Sequence, residues 1–591
     1  MQTLRGIGVS PGIAIGPVMV LDLRRYAAPR RTIALEAVSI EFDRLDRALV
    51  LARTEAESAE TEARRRLGPQ YADILGAHAR MIADPILLRD SRARIERERI
   101  NAEQAVAEVL DAYAARLEAI SDPRLAARAA DVRDIQQRIL ELFGEETSSA
   151  ATSRRGAVDS DVPVVILAAD LSPSETAELD PRLVLGFATE AGGRASHTAI
   201  VAEALEIPAV VGLGRALDLA RMASHAIVDG DEGLVILDPD EPTLQRYRRF
   251  ADERTAYFEG LSGLADLPAV TLDGQKIGLW GNIEFPAEVA ACLDRGGEGV
   301  GLYRTEFLFL NAERAPTEDE QFEAYAAVVR SLKGLPITIR TLDLGADKLP
   351  SYQQVAPVEA NPVLGLRSLR LSLRAPALFR VQLRAILRAA TLGDVRLMFP
   401  LVTTLTELRE ARRILADVAD ELRAEGTTIG ENLRVGAMIE VPAAVVRADK
   451  LAKEVDFFSI GTNDLIQYAL AVDRTNEAVA DLYDAADPAV LRLIKTVVVA
   501  ADSQGIDLTV CGTMGGDPLH AMLLIGLGVR HLSMPPHQLP ELKRLIRAVR
   551  VDRLRAMADE ALDLETAREV VELARTVLQG ALPLESSRPD G

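Results

Sequence analysis

Cysteine is almost missing from this sequence. Two occur among 591 residues, Cys292 and Cys511, too few for a disulfide framework. Histidine is nearly as scarce, at six, and His197 has no second His or Cys at the spacing a zinc site needs. Long apolar runs are lacking too: stretches such as "AMLLIGLGV" fall far short of the roughly 20 residues of a membrane span. The opening "MQTLRGIGVSPGIAIGPVMV" has neither the basic stretch nor the cleavage site of a signal peptide. Positive charge is in deficit, with a net charge of −21, which disfavours nucleic acid and leaves a basic protein partner open. No G-x-x-x-x-G-K-[ST] element offers a nucleotide phosphate loop. What remains is a cytoplasmic enzyme with ample apolar residues, 48%, and at about 150 residues per domain room for roughly four domains.

What is present changes texture along the chain. The first 20 residues are glycine-rich and strand-like. From about 36 to 143 only Gly68 and Gly76 occur, and Ala, Arg, Glu and Leu dominate at helical spacing. Breakers at "LGPQ", "ADP" and "SDP" cut this stretch into an all-α insert, two helical hairpins rather than one long coiled coil. Strand texture returns near 161 with "VPVVILAADL", and "VDGDEG" between two apolar runs reads as a hairpin. The expected layout is therefore an α/β domain at 1–24 and 150–240, interrupted by the insert at 25–149. A linker helix covers 241–267, "EPTLQRYRRFADERTAYFEGL" forming most of it. From 268 to 575 strand and helix alternate, and 576–591 is a tail. The alternating part holds eight strand candidates: "KIGLWGNIE", "GVGLYRTEF", "ITIRTLDLG", "VRLMFPLV", "VGAMIEVP", "FFSIGTNDL", "LTVCGTMGG" and "RHLSMPP". Eight such units in about 300 residues predict a (β/α)8 barrel, with a doubly wound sheet as the alternative.

The strand ends carry the chemistry. Arg304 follows "GLY", Arg340 follows "ITI" with Asp343 close behind, Glu440 ends "VGAMI", Asn463 and Asp464 end "FFSIGT" with Arg474 beyond, and Cys511 ends "LTV". Any one of these alone reads as a surface charge or a packing residue. Together they place charged and reactive groups on the one barrel face where active sites form. Three arginines suit a small, multiply anionic ligand. Glu440 and Asp464 suit Mg²⁺, which takes one or two protein oxygens and the rest from substrate and water. Cys511, mostly protonated at neutral pH, suits a general acid. In the other half, "GGRASHTAIVAEALEIPAVVG" sets His197 between a glycine turn and a helix start. Ser196 can cap that helix, whose free N–H groups would stabilise a phosphoryl group on the imidazole.

At these residues the chain resembles enzyme I of the phosphoenolpyruvate:sugar phosphotransferase system over nearly its full length. The stretch around His197 is similar to that family's phosphohistidine signature. "GLYRTEFLF", "IRTLDLGADK", "ANPVLGLRSLR", "FFSIGTNDLIQYALAVDR" and "VCGTMGGDP" are similar to its phosphoenolpyruvate-binding half, in order. The resemblance implies that His197 accepts the phosphoryl group on Nε2 and that Arg304, Arg340, Asn463, Asp464 and Arg474 line the phosphoenolpyruvate site. It implies further that Glu440 and Asp464 bind Mg²⁺ and that Cys511 protonates the enolate carbon. A histidine of the small carrier protein HPr, docked on the helical insert, then receives the group. A homodimer formed through the barrel and a swivel of the His197 domain are implied as well. This chain departs from the family at Thr513, where glutamate is usual, at "SMPP", and at "LGADK". His78 sits where the family has a histidine, as a docking or a packing residue.

Three rival readings are weighed. A pyruvate,phosphate dikinase or phosphoenolpyruvate synthase needs an ATP-binding domain, for which the insert is too short and too helical. A regulatory protein without turnover would not need the full set of charged and thiol residues. A nitrogen-type relay enzyme of the same family usually carries a sensor domain before the segment that opens here.

Overall fold

A computed structural model describes residues 1–21, 28–66, 76, 78–119, 123–145, 162–171, 182–193, 198, 202, 207–310, 314–345, 361–474, 476 and 479–582. The chain divides into two compact units, Met1–Ala256 and Tyr257–Gly591.

The first unit holds an eight-stranded sheet in the order β1-β8-β7-β3-β4-β5-β6-β2. β1 (Gln2–Arg5), β2 (Ile7–Ser10) and β3 (Ile13–Leu21) come from the start of the chain; β4 (Val164–Ala168), β5 (Val184–Thr189), β6 (Ala209–Val211), β7 (His225–Asp229) and β8 (Leu234–Leu237) come from beyond the helices. β3 runs parallel to β4, with Val18 opposite Val165 and Leu21 opposite Ala168. The sheet is thus left at Leu21 and resumed beside the same strand after more than a hundred residues. The "VDGDEG" turn joins β7 and β8 as an antiparallel hairpin, and Gly233 there takes φ +67°, a conformation that costs glycine nothing.

Among the described residues, four long helices lie between β3 and β4: α1 (Val38–Arg66), α2 (Pro85–Glu98), α3 (Ala102–Glu118) and α4 (Pro123–Glu145). Leu45, Ile95, Val106, Ile139 and Phe143 share one core, so the segment is a bundle and not an extended rod. Arg44 of α1 ties it together by pairing with Glu41 at 2.9 Å and Glu103 of α3 at 2.6 Å. His78 is 2% exposed, with Nδ1 3.4 Å from Asp134. Its ring is thus packed within the bundle, the packing alternative of the two the sequence left open.

The second unit is a closed barrel of eight strands: β9 (Gly278–Ile283), β10 (Val300–Arg304), β11 (Ile337–Arg340), β12 (Val395–Phe399), β13 (Arg434–Ile439), β14 (Phe457–Ile460), β15 (Asp507–Val510) and β16 (His531–Met534). Every neighbouring pair is parallel, and β16 closes onto β9. All eight strand expectations fall on these elements, and closure excludes the doubly wound sheet. Near-continuous apolar strands such as "VRLMF" are buried on both faces because helices cover the outside. Leu302, Met398, Met438, Phe457 and Cys511 fill a layer of the interior. Helix starts are written locally: Thr317 and Thr404 each form a capping box with the glutamate three residues on.

One buried polar network holds the strand ends on the β10–β11 side. Gln382, on the helix Pro376–Ala389, donates to Thr305 Oγ1 (3.1 Å) and to the Tyr325 hydroxyl (3.2 Å), and accepts from Leu342 N (2.9 Å). Removing it leaves the Leu342 N–H buried without a partner. Gln382→Leu is expected to destabilise the barrel by about 1–3 kcal/mol. Urea denaturation followed at Trp280, the one tryptophan of the chain and part of β9, reads that loss from the barrel alone.

Candidate active site

Three arginines stand at graded depth at the barrel mouth, two closing strands and the third directly before the helix Ser368–Arg374. Arg340 closes β11 with its side chain 12% exposed; Arg367 is 15% exposed and Arg304, at the end of β10, 36%. Such buried guanidinium groups need carboxylates to offset their desolvation. Arg340 bonds Glu306 (2.9 Å) and Asp343 (2.9 Å). Arg367 bridges Asp343 (3.1 Å) and Asp464 (3.1 Å). Asp343 also accepts from the Ser368 hydroxyl, and its own backbone N–H donates to Glu306. Burial pushes the Asp343 carboxyl up, but Arg340, Arg367 and Ser368 outweigh it and hold it at about 2. Arg340 Nε has no hydrogen-bond partner among the described residues. A buried guanidinium N–H left unpaired is a donor that a bound acceptor could satisfy.

Arg367, Glu306 and Glu284 are members of this constellation that strand-end reading did not single out. Arg367 lies in no strand but directly before the helix Ser368–Arg374, so alternation of strand and charge could not mark it. The local signal was the "GLRSLR" run itself. Ser368 there takes φ +53°, a strained conformation for a residue with a side chain.

Glu440 and Asp464 are 2% and 7% exposed. Burial, with Asp464 and Asp343 nearby, raises the Glu440 carboxyl well above its ordinary range. Leu401, strained at φ +51°, points its N–H at Glu440 Oε1 from 2.6 Å. A Cβ on Gly461 would strike Glu440 Oε2, so the bare glycine leaves the carboxylate its place. Two buried carboxylates that repel one another fit a cation between them. No cluster of three or more His, Cys, Asp or Glu suited to a metal ion occurs among the described residues.

Cys511 lies just past β15, 3% exposed, its Sγ donating to Ile460 O at 3.6 Å. Burial pushes its thiol up to about 11, with Arg340 and Glu440 among the charges facing it. It is thus a thiol, not a thiolate, at neutral pH. Asn282 of β9 donates to the Cys511 carbonyl at 3.1 Å and fixes the turn that presents it. The Thr513 N–H and hydroxyl both donate to Asn463 Oδ1, at 3.0 and 2.8 Å. The amide of Asn463 is thereby oriented with its NH₂ group free to donate. Thr513 supplies this although its side chain carries no charge. Arg474 is exposed; its N–H donates to Gln467 Oε1 at 3.2 Å, and its guanidinium lies beside the Tyr483 hydroxyl. Arg304 and Arg340 thus close strands, Glu440 and Cys511 directly follow them, Asn463 and Asp464 lie in the first turn of the helix Thr462–Leu470, and Arg474 lies beyond that helix.

In the first unit, Arg194–His197 lie outside the described residues. The turn before them is described: Gly192 takes φ +110°. After them, Thr198 is buried and its hydroxyl donates to Leu171 O at 2.9 Å.

Three family models match the chain: "PEP-utilising enzyme, N-terminal" over residues 5–128, "PEP-utilising enzyme, mobile domain" over 161–233, and "PEP-utilising enzyme, PEP-binding domain" over 259–551. The fold and the arginine-lined barrel mouth thus define a chain of the phosphoenolpyruvate-utilising class. A phosphoenolpyruvate-protein phosphotransferase of Geobacillus stearothermophilus is 41% identical over 97% of this chain and 98% of its own length. The one from Bacillus subtilis (strain 168) is 40% identical over 97% and 99%, and that from Staphylococcus carnosus (strain TM300) 38% over 98% and 100%. The chain belongs to the phosphoenolpyruvate-protein phosphotransferase family, enzyme I.

The protonated state of Cys511 can be checked directly. Alkylation of the Cys511 peptide by iodoacetamide, followed by mass spectrometry, is expected to be negligible at pH 7–8 and to rise only toward pH 11, as the thiolate forms. Rapid alkylation near neutrality would mean a low thiol pKa and remove the residue from proton donation.

Proposed function

We propose that the chain takes the phosphoryl group of phosphoenolpyruvate onto His197 Nε2, releases pyruvate, and passes the group to a histidine of an HPr-type carrier. The observation that carries this reading is the barrel mouth. It joins three arginines, one with an unpaired buried N–H, two buried carboxylates and a protonated thiol, within a chain matched end to end by phosphoenolpyruvate-protein phosphotransferases.

Each group has a task. Arg304, Arg340 and Arg367 hold the phosphate and carboxylate by forked hydrogen bonds and spread the charge of the transferring group. The NH₂ of Asn463, aimed by Thr513, adds a donor, and Arg474 closes the side formed by the loop after β14. Glu440 and Asp464 would hold Mg²⁺, which when bound neutralises phosphoryl oxygens. The bond from phosphorus to the enol oxygen breaks as the bond to Nε2 forms. The enolate takes the Cys511 proton at its terminal carbon, giving pyruvate, and solvent reprotonates the sulfur. Because His197 and the barrel mouth belong to different compact units, the reading includes a swivel of the phosphohistidine domain, 1–24 with 150–240. It also includes carrier docking on the insert at 25–149, and a homodimer through the barrel domain at 268–575. Two free cysteines support a reducing, cytoplasmic setting. No helix among the described residues is long and apolar enough to cross a membrane.

His197→Ala is expected to abolish uptake of label from [³²P]phosphoenolpyruvate while calorimetry still detects substrate binding; stable label on this variant would overturn the acceptor assignment. Cys511→Ala is expected to slow pyruvate release by about 10²–10⁴-fold, the scale of a lost general acid, with little loss of binding. Unchanged turnover in a coupled pyruvate assay would remove the thiol from the mechanism.

A further inference from the structure

The three arginines of the barrel mouth are not paired equivalently. Arg340 and Arg367 pair with acids that have further commitments. Glu306 also accepts from Asp343 N, and Asp343 serves both arginines and Ser368. Releasing either pair would strand a charge in a buried place. Arg304 differs. Its Nη1 meets Glu284 Oε1 at 2.6 Å, with the two side chains 36% and 29% exposed, so the pair sits at the rim within reach of water. It is a local consequence of the barrel. Tyr303 pairs with Ile283 between β10 and β9, which brings the next residue of each strand, Arg304 and Glu284, side by side. The Glu284 backbone is pinned because its N–H and that of Phe285 both donate to Glu288 Oε2, at 2.6 and 2.9 Å. A carboxylate on a fixed backbone thus occupies one fork of an arginine that the proposed function needs for an anionic substrate.

We propose that Glu284 is an affinity-setting residue of this site: its carboxylate holds the Arg304 guanidinium in the unliganded protein and is displaced by an anionic group of phosphoenolpyruvate. The physical basis is competition of like for like. A carboxylate and a phosphate oxygen offer the same acceptor to the same N–H, and only one can take it. Substrate binding therefore includes the loss of an existing ion pair and the approach of two anions, and both weaken it. The arginine is meanwhile kept aimed into the mouth rather than sweeping through solvent, and singly charged anions gain less from displacing Glu284 than a ligand that engages all three arginines.

This inference rests on the phosphoenolpyruvate reading, and the test separates the two. Calorimetric titration of the full chain carrying His197→Ala, which keeps the barrel mouth but has no acceptor, with phosphoenolpyruvate and Mg²⁺ would compare that parent with the same chain bearing Glu284→Gln or the control Glu298→Gln. Glu298 precedes β10 at the opposite end of the barrel, pairs with Lys276 at 2.9 Å and changes the net charge equally. Glu284→Gln is expected to lower Kd by about three- to fivefold, the scale of a half-exposed ion pair, while Glu298→Gln leaves it where it was. An unchanged or raised Kd in Glu284→Gln, or an equal gain in Glu298→Gln, would overturn the displacement. A His197→Ala parent that binds no phosphoenolpyruvate would instead overturn the proposed function, and this inference with it.

Discussion

The barrel mouth depends on one arrangement: arginines and carboxylates buried together, with the acids in excess and one arginine N–H left without a partner among the described residues. Arg340, Asp343, Arg367 and Asp464 form a continuous chain of ion pairs, and Glu440 stands against it with its carboxyl pushed up by burial and by neighbouring acids. In such a place a charge left alone costs several kcal/mol, so each side chain is held by its partners more firmly than packing could hold it. One donor of the array is unused: Arg340 Nε–H has no hydrogen-bond partner among the described residues.

Around this array the protein spends backbone strain and close contacts. Leu401 and Ser368 take left-handed conformations. The first delivers an N–H to Glu440, and the second brings a hydroxyl to Asp343. Gly461 removes the side chain that would collide with Glu440. These are positions where local preference yields to the site, and the surrounding barrel supplies the stability that tolerates them. Cys511 completes the picture from the apolar side. It shares the interior layer with Met398, Met438 and Phe457, and the same burial that makes it look like a packing residue keeps its proton in place.

The departures noted in the sequence take on meaning here. Thr513 stands where the family usually has a glutamate, yet its hydroxyl and N–H together clamp Asn463 Oδ1. Orientation of that amide needs donors, not a charge, so a neutral residue serves. His78 resolves differently: buried against Asp134 in the helical bundle, it is a polar part of the core.

The sequence by itself determined the architecture and most of the site. Helix and strand periods differ, glycine and proline mark the breaks, and a barrel puts every strand end on one face, so Arg304, Arg340, Glu440, Asp464 and Cys511 could be grouped by position alone. Only the tertiary structure decided which carboxylate faces which arginine. Arg367 reaches the site from a loop far along the chain, and Glu284 meets Arg304 because β9 and β10 are neighbours in the barrel. Charge identity is written residue by residue. Charge pairing depends on distance and burial, and both exist only once the chain has closed on itself.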